Sequence, residues 1–448
     1  MTPGKDQTIA IKKFKEFWNS TSKTKLFTLA GYSGTGKTST IRFILDEIGL
    51  QENEVIFATL SGKAASVLRD KGFKATTIHS RFYKVVETKK ATIFVKREKE
   101  EILSLGIKLI ILDEISTINE DLANDIFSFG IPVLGIGDGF QLDAIGKNYF
   151  KENLANPDVL LKEIHRQNLD NPIIRLSMDI RLEGRLPSLR DNCEEIKVFD
   201  YDNLTTDTYT TLFNSTDISL TLTNEFKNQV NDAYRTIKFG SSLPEYPIKG
   251  EQVICRKNSY NFPLTNGEIL KFQAGDLGKY LVSETKFNYM ETSDSSNLTM
   301  LGNPLLNGTL GTLLSDAELF KITDENAFLG RYGNYEKYKY QNYEKFPEFL
   351  KIDFKPYGGE DVEYYEDVII NRYNLDNGAL PEIKTDPFYK VATFNYGYTI
   401  TCHSAQGSEF NNVLVFYEEP PRFMSKLNYL KWWYTAITRA RNGVQIVL

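Results

Sequence analysis

The sequence predicts an α/β fold, with helices alternating with the strands of parallel sheets and one β-rich interruption. An apolar strand, Leu26 to Ala30, runs through a glycine-rich loop into a helix that begins at Ser39. Further strands and helices follow at a spacing typical of parallel sheets with right-handed crossovers. Between about 245 and 388 the composition shifts to short strands, turns and many tyrosines, and the α/β pattern returns at Val391.

Composition narrows the class of protein. The 448 residues suffice for roughly two to four domains. No apolar run approaches about 18 residues, and the polar N-terminus lacks a signal core, so we expect neither a membrane span nor secretion. Three scattered cysteines fit a reduced cytoplasmic protein without disulfides or a zinc site. A net charge of −6 argues against bulk attraction of polyanions, so a nucleic-acid site would need local donors and stacking rings.

The glycine-rich loop, Gly31-Tyr32-Ser33-Gly34-Thr35-Gly36-Lys37-Thr38, is a P-loop in its required strand–loop–helix context. Its glycines let backbone N–H groups turn towards phosphate oxygens, and the following helix adds its positive end. We expect Lys37 to reach the β- and γ-phosphates and Thr38 to bind Mg²⁺. The sequence therefore predicts a nucleoside triphosphate site.

Two later apolar strands end in acidic residues. The strand before Asp113 and Glu114 would place both carboxylates at the edge of the sheet, Asp113 in the magnesium shell and Glu114 beside the attacking water. A second strand ends at Asp138, and Gln141 follows it. Gln141 could sense the γ-phosphate, or it could simply cap its loop.

Three weaker candidates depend on position. Gln7 could read the adenine edge, although a solvated glutamine at a helix start is the alternative. Arg166, in the connector after the first sheet, could reach the transferred phosphoryl group, but arginines are too plentiful for position alone to decide. His79, His165 and His403 do not pair at metal-ligand spacing.

Two segments stand apart from the α/β pattern. Residues 81–103 predict two strands and a turn, a hairpin inserted in the first α/β region. Residues 332–346 interleave tyrosines with lysines and glutamates, which favours a half-solvated packing face over a base-stacking surface.

In order, these motifs resemble those of superfamily 1 helicases of the 5′-to-3′, RecD-like branch, most closely the Dda-type DNA helicases of bacteriophages. The P-loop resembles motif I, motif Ia is resembled by Ser61-Gly62-Lys63-Ala64-Ala65, and the motif after it by Thr76-Thr77-Ile78-His79. Motif II is resembled by Asp113-Glu114, and motif III by Gly137-Asp138-Gly139-Phe140-Gln141-Leu142. Motif V is resembled by His403-Ser404-Ala405-Gln406-Gly407, and motif VI by Tyr434-Thr435-Ala436-Ile437-Thr438-Arg439-Ala440. Arg166 falls where motif IV carries an arginine finger, and Arg439 is the second finger. The sequence departs from the family at Leu60, where proline is usual, and at Trp432-Trp433, where aliphatic residues are usual.

The resemblance implies two RecA-like P-loop domains with ATP and Mg²⁺ between them. The first would span residues 1–165, with a pin hairpin at about 81–103, and the second 166–245 and 389–448. An SH3-like β-rich domain, 246–388, would be inserted in the second and would support the pin.

The resemblance also assigns roles to residues. The catalytic residues would be Lys37, Glu114, Gln141, Arg166 and Arg439; the nucleotide ligands Gln7, Gly34, Thr35, Gly36, Lys37, Thr38, Asp113, Gly407 and Glu409; the Mg²⁺ ligands Thr38 and Asp113; and the nucleic-acid contacts Ser61, Lys63, Thr77, His79, Asn224, Thr401 and His403. Phe94, in the hairpin, is a candidate wedge between separating strands, with simple hairpin packing as the alternative.

The motifs and the resemblance together predict an ATP-dependent DNA helicase that translocates on single-stranded DNA and unwinds forks. The 5′-to-3′ direction is implied by the resemblance alone. The helicase would act as a cytoplasmic monomer (in the host cytoplasm for a bacteriophage protein), alongside replication proteins such as a single-strand-binding protein. One alternative is an RNA or RNA–DNA helicase of the same fold, and another is a nucleotide-switched clamp on nucleic acid. The paired arginines argue against the clamp, because a switch needs slow hydrolysis.

Overall fold

The computed structural model describes residues 2–20, 25–87, 92–143, 148–163, 170–243, 246–256, 308–320, 348–357, 364–372, 375 and 393–448. The chain divides into two compact units. Unit one comprises Met1–Val86, Phe94–Lys227 and Thr399–Leu448, and unit two comprises Glu87–Ile93 and Asn228–Tyr398. Unit one holds two parallel sheets, and unit two holds an antiparallel sheet.

The first sheet of unit one has six parallel strands, and its apolar strands are covered on both faces. In sheet order the strands are β3 (Ala75–Thr77), β2 (Val55–Thr59), β6 (Leu109–Leu112), β7 (Val133–Gly137), β1 (Leu26–Gly31) and β8 (Val159–Leu161). The helices are α1 (Lys5–Asn19), α2 (Lys37–Ile48), α3 (Gly62–Asp70), α4 (Ile78–Phe82), α5 (Lys99–Ser104), α6 (Glu120–Ser128) and α7 (Lys151–Ala155). All four residues of β6 are buried, as expected of a parallel strand with helices on either side. One core cluster includes Phe82 and Phe129, and the other includes Phe14 and Phe27.

A two-stranded hairpin interrupts this sheet where the sequence predicts one. Strands β4 (Tyr83–Glu87) and β5 (Thr92–Lys96) pair with each other between α4 and α5, and residues 88–91 lie outside the described residues. The Tyr83 hydroxyl donates to Asp125 of α6 at 2.6 Å, and Lys84 pairs with Glu101 of α5 at 2.8 Å. These contacts tie the hairpin base to two helices; its role as a pin stays a prediction.

The second sheet of unit one has five parallel strands. In sheet order they are β17 (Thr399–Thr401), β10 (Ile218–Thr221), β18 (Phe410–Phe416), β19 (Ala440–Val447) and β9 (Ile196–Phe199). Its helices are α8 (Pro172–Glu183), α9 (Thr206–Asn214), α11 (Lys426–Ile437) and the start of α10 (Asn224–Phe239). Helix α8 packs on α11, whose Trp432 and Trp433 are fully buried, so these two aromatic residues fill the core. The two parallel sheets confirm the predicted α/β fold, and their number fits the two RecA-like domains that the resemblance implies.

Unit two is built on antiparallel strands. In sheet order they are β13 (Glu318–Phe320), β14 (Phe349–Pro356), β12 (Leu310–Leu313), β11 (Gln252–Cys255) and β16 (Phe394–Tyr396), and β15 (Tyr365–Asn371) pairs with β14. The β-rich composition therefore corresponds to a β-sheet, and its SH3-like character stays a prediction. The tyrosine-rich segment 332–346 lies outside the described residues.

Across the described parts of the chain, no helix combines the length and the apolar character that crossing a membrane requires. Cys193, Cys255 and Cys402 are free thiols. Within those same parts, no group of three or more His, Cys, Asp or Glu side chains is arranged to hold a metal ion.

Candidate functional site

The predicted site residues lie at the carboxyl ends of parallel strands in both sheets. In the first sheet the P-loop follows β1, Ser61 follows β2, Thr77 ends β3 and Asp113 follows β6. In the second sheet Thr401 ends β17. Open α/β sheets bind their ligands at this edge, outside the ends of the strands. Topology thus gathers residues that are far apart in sequence onto two neighbouring edges of unit one.

The P-loop has the backbone that its glycines make possible. Gly34 and Gly36 have φ values of 77° and 75°, in the left-handed region that favours glycine. Gly36 is the N-cap of α2, so the helix amides open directly onto the loop. Lys37 Nζ donates to the carbonyl oxygens of Gly31 at 3.0 Å and Tyr32 at 3.1 Å, which holds the amine over the loop.

The two threonines of the loop differ in environment. Thr35 is buried, and its hydroxyl donates to the Tyr32 carbonyl at 2.8 Å. Thr38 is partly exposed in the first turn of α2, where its hydroxyl could serve as a metal ligand.

Gln7 braces the start of the P-loop helix. It is buried, and its Nε2 donates to Thr40 Oγ1 at 3.1 Å and to the Gly36 carbonyl at 3.3 Å. Its Oε1 accepts from the Gly4 amide at 2.9 Å. The side chain is therefore not a solvated helix-start glutamine; its contact with adenine stays a prediction.

Asp113 and Glu114 are adjacent acidic residues at the end of β6. Desolvation and then the charge of Glu114 raise the pKa of Asp113 to about 7, against the opposing charge of Lys37. Asp113 Oδ1 accepts from the Glu114 amide at 3.0 Å. Glu114 has φ 54°, a left-handed conformation that costs a non-glycine residue about 1 kcal/mol or more. Strain of this kind concentrates at functional sites, which supports Glu114 as a candidate.

Gln141 lies buried in the loop after β7. Its backbone amide donates to the Asp138 carbonyl at 3.1 Å, but its side-chain Oε1 has no hydrogen-bond partner among the described residues. An unpaired buried carbonyl costs about 1–3 kcal/mol. The capping alternative would give this oxygen a local partner, and none is found among the described residues; the role of Gln141 at the γ-phosphate stays a prediction.

The loop after β7 joins the two sheets of unit one. The Leu142 amide donates to Thr435 Oγ1 of α11 at 3.0 Å, and the Leu142 carbonyl accepts from Gln406 Nε2 at 2.8 Å. Lys431 of α11 also pairs with Asp143 at 3.2 Å. Both backbone groups of a first-sheet residue are therefore held by second-sheet side chains, and we call this boundary the seam.

The candidate nucleotide ligands of the second sheet lie beside the seam. Gly407 lies so close to Ala64 of α3 that a Cβ built on the glycine would be 2.8 Å from the Ala64 Cβ. Glu409 accepts from Arg441 Nε at 2.9 Å. Although desolvation raises the pKa of Glu409, the charge of Lys71 and the Arg441 hydrogen bond together hold that pKa below its ordinary value.

Arg439 is held within the second sheet. Its guanidinium is buried and donates to the Thr435 carbonyl at 3.1 Å, the Ser408 carbonyl at 3.2 Å and the Thr438 hydroxyl at 3.3 Å. For the Arg439 guanidinium to reach a phosphate, these contacts would have to break. Its role as an arginine finger therefore stays a prediction. Arg166, the other predicted finger, lies outside the described residues.

Three of the predicted nucleic-acid contacts are hydroxyl residues at strand ends. Ser61 caps α3 by accepting from the Ala64 amide at 3.1 Å, and Thr77 caps α4 by accepting from the Ser80 amide at 3.1 Å. Thr401 hydrogen bonds with the Ser404 hydroxyl at 3.0 Å. The hydroxyls thus position their own turns, and a phosphate contact from them stays a prediction.

The remaining nucleic-acid candidates are more varied. Desolvation lowers the pKa values of Lys63 and His403, although Asp70 raises that of Lys63. Asn224 Oδ1 accepts from Lys227 Nζ at 3.3 Å. The His79 ring contacts Phe94 edge-on at 5.4 Å, and 38% of Phe94 is exposed. This contact links the hairpin to the end of β3, where a strand of nucleic acid is expected.

One arginine at the P-loop was not predicted. Arg181 of α8 pairs with Asp138 at 2.6 Å, and its guanidinium lies 3.9 Å from the centre of the Tyr32 ring. No local pattern in the sequence distinguishes this arginine from other arginines on amphipathic helices, because its partners come from distant segments.

Comparison with known proteins agrees with this organisation. The family described as an AAA domain matches residues 5–193, and the family described as the UvrD-like helicase C-terminal domain matches residues 396–447. The first match covers the P-loop sheet, and the second covers β17, β18, α11 and β19.

The chain is also similar, at low sequence identity, to proteins that align with nearly its whole length. An uncharacterized protein of Acanthamoeba polyphaga mimivirus is 22% identical over 506 residues, covering 97% of each chain. The Pif1 helicase of Candida albicans is 14% identical with a TM-score of 0.46, covering 100% of this chain and 94% of that one. A Bacteroides Pif1 helicase in complex with ADP-AlF3 and ssDNA is 16% identical with a TM-score of 0.46, covering 100% and 92%. Residues 5–193 thus match the AAA domain family and residues 396–447 the UvrD-like helicase C-terminal domain family, in agreement with the ordered motifs that resemble those of superfamily 1 helicases.

Proposed function

We propose that the protein uses ATP hydrolysis to translocate 5′ to 3′ on single-stranded DNA and to separate duplex at forks, as Dda-type helicases do. The observation that carries this proposal is the seam. The loop after β7, the strand that pairs directly with the P-loop strand β1, has both backbone groups of Leu142 bound to side chains of the second sheet's segments. A change in the nucleotide at the first sheet can therefore move the second sheet. Such movement converts closure of the nucleotide site into a step of the protein along the strand.

In this proposal the P-loop residues Gly34 to Thr38 cradle ATP, with Lys37 on the β- and γ-phosphates. Thr38 and Asp113 offer the oxygen ligands that Mg²⁺ prefers. Burial, and then the charge of Glu114, raise the pKa of Asp113, and a bound cation would stabilise its charged form. When bound, Mg²⁺ would neutralise charge that develops on the phosphates. Glu114 orients the attacking water, and Gln141 Oε1, which has no partner among the described residues, accepts a hydrogen bond from that water.

The second sheet completes the nucleotide site in this proposal. Gly407 and Glu409 approach the nucleotide across the seam, and Arg166 and Arg439 supply positive charge to the γ-phosphate. Arg439 has to exchange its three protein contacts for phosphate oxygens when the site closes. Such an exchange would make its charge available only in the closed state.

The nucleic acid would cross the carboxyl edges of both sheets. Hydroxyl, amide and imidazole groups there suit phosphate and stacking contacts rather than the reading of base edges, so we expect little sequence specificity. The chain would work as a monomer on forks, in the cytoplasm and together with a single-strand-binding protein. The alternative substrate is RNA or an RNA–DNA hybrid.

Two measurements test this proposal. ATP turnover should rise with single-stranded DNA more than with RNA of the same sequence, and the reverse order would favour the RNA alternative. Strand displacement from a forked duplex should require ATP. Tight, ATP-dependent binding without displacement would instead indicate the nucleotide-switched clamp.

A further inference from the structure

Four side chains from separate segments meet at the apex of the P-loop. They are Tyr32 of the loop, Asp138 after β7, Arg181 of α8 and Tyr434 of α11, and we call them the apex cluster. Asp138 Oδ1 accepts from Arg181 at 2.6 Å, and its Oδ2 accepts from the Tyr434 hydroxyl at 2.5 Å. The same tyrosine hydroxyl accepts from the Ser33 amide at 3.1 Å. The cluster thus connects the P-loop to two helices of the second sheet.

The direction of these hydrogen bonds follows from the chemistry of the groups. Asp138 accepts from the Arg181 guanidinium, which can only donate, and its other carboxyl oxygen faces the Tyr434 hydroxyl. The Tyr434 hydroxyl donates its proton to Asp138, which leaves its lone pairs for the loop. A backbone amide can only donate, and Ser33 fills that place. Asp138 thereby sets the polarity with which Tyr434 holds the P-loop.

Arg181 contacts the loop through its aromatic residue. Its guanidinium lies 3.9 Å from the Tyr32 ring centre and 5.2 Å from that of Phe140, within the range of cation–π attraction. The Asp138 side chain is 0% exposed and that of Arg181 only 12%. Removal of one partner from a buried ion pair such as this one destabilises the protein, because it leaves an uncompensated buried charge.

The contact reaches the phosphate-binding lysine in one more step. The Tyr32 carbonyl accepts from Lys37 Nζ at 3.1 Å and from the Thr35 hydroxyl at 2.8 Å. The position of Tyr32 therefore affects where Lys37 and the loop amides point. Two groups of the second sheet hold Tyr32 and Ser33 in place, one by stacking and one by a hydrogen bond.

We propose that Arg181 and Tyr434 are positioning residues for ATP: acting through Asp138, they hold the apex of the P-loop in the conformation that receives the triphosphate. A preorganised loop binds its ligand more tightly because the cost of ordering is met before binding. The second sheet thereby controls ATP affinity at the first. The inference rests on ATP as the ligand of the proposed function, but not on DNA or on unwinding.

The test uses the full chain without nucleic acid and measures the dissociation constant of a fluorescent ATP analogue, together with KM and kcat for ATP. Tyr434→Phe removes only the hydroxyl, and Arg181→Lys keeps the charge but loses the flat contact with Tyr32. We expect each variant to weaken analogue binding about tenfold, with a similar rise in KM. Because both act through Asp138, the double variant should be about as weak as the weaker single variant rather than about a hundredfold weaker.

Tyr429→Phe is the matched control, since Tyr429 lies on the same helix and its hydroxyl donates to the Glu418 carbonyl at 2.7 Å, away from the P-loop. It should bind the analogue like the wild type. The proposal is overturned if the two variants keep wild-type affinity, if their effects multiply, or if they only reduce the number of binding sites per chain as misfolding would. Failure of the proposed function would appear differently, as wild-type ATP binding and turnover without strand displacement.

Discussion

Gly407 of the second sheet packs so closely against Ala64 of the first that a side chain does not fit between them. A Cβ built on Gly407 would lie 2.8 Å from the Cβ of Ala64 and 3.4 Å from Ser61 Oγ. Gly407 also has φ 72°, in the left-handed region. The loop that resembles motif V therefore depends on glycine twice, for its conformation and for the approach of the two sheets.

Gly407→Ala should destabilise the seam and reduce ATP turnover. The backbone strain alone costs roughly 1–2 kcal/mol, and the contact with Ala64 adds to it. Gly49→Ala is the matched control, because Gly49 has φ 68° and nothing lies within 4 Å of its added Cβ. Thermal unfolding should show a larger loss for Gly407→Ala than for Gly49→Ala, and Ala64→Gly should restore part of the difference. Equal losses would mean that the close approach does not matter.

Glu114→Gln should stop hydrolysis while ATP still binds. The amide keeps the shape of the side chain but cannot accept a proton, so we expect kcat to fall by about a hundredfold or more. Measurement of kcat beside the affinity for a fluorescent ATP analogue separates the two effects. Glu100→Gln, at an exposed position on α5, should leave both unchanged. Retained turnover in Glu114→Gln would remove Glu114 from its proposed role.

Gln141→Leu should separate stability from activity. The substitution removes a buried oxygen that has no partner among the described residues, so the free energy of unfolding should stay equal or rise by about 1 kcal/mol. ATP turnover should nevertheless fall, because the water loses its proposed partner. Chemical denaturation and steady-state ATPase assays measure the two quantities. A marked loss of stability with normal turnover would show that Gln141 is structural.

Asp113→Asn should change the pH dependence of stability in metal-free and nucleotide-free protein. A carboxyl whose pKa is raised in the folded state, here to about 7, contributes stability at low pH that is lost as the pH rises through about 7. The amide does not titrate. The stability of Asp113→Asn relative to the wild type should therefore increase between about pH 5 and pH 8. A constant difference across this range in urea unfolding would contradict the shift.

Phe94→Ala tests the candidate wedge in the hairpin. If Phe94 separates the strands, the variant should unwind forked duplex more slowly while its DNA-stimulated ATP turnover stays normal. Val95→Ala is the control, since Val95 is the neighbouring residue of β5 and is 41% exposed. Strand displacement of Phe94→Ala at the wild-type rate would favour simple packing against His79 instead.

Much of the fold could be predicted from local patterns. The P-loop, the apolar strand before Asp113 and the return of α/β texture at Val391 each depend on neighbouring residues, and the two parallel sheets follow from their alternation. The hairpin was predictable because turn residues separate two strand-like segments between helices.

The contacts at the site could not be predicted in the same way. Asp138 and Arg181 are 43 residues apart, and Asp138 and Tyr434 are 296 apart, so only the packed sheets bring them together. Trp432 and Trp433 departed from the family pattern, and burial in α11 explains them as core residues. The protein contacts of Arg439 depend on where the Ser408 carbonyl lies, which no spacing in the sequence reveals.

Strand displacement from duplexes that carry a single tail tests the central claim most directly. With ATP, the wild-type protein should displace the strand from a duplex with a 5′ tail, should fail on the same duplex with a 3′ tail, and should fail on both without ATP. Displacement from the 3′ tail alone would reverse the proposed polarity. ATP turnover without strand displacement from either duplex would contradict the proposal that ATP hydrolysis at the first sheet moves the second sheet and so separates the strands.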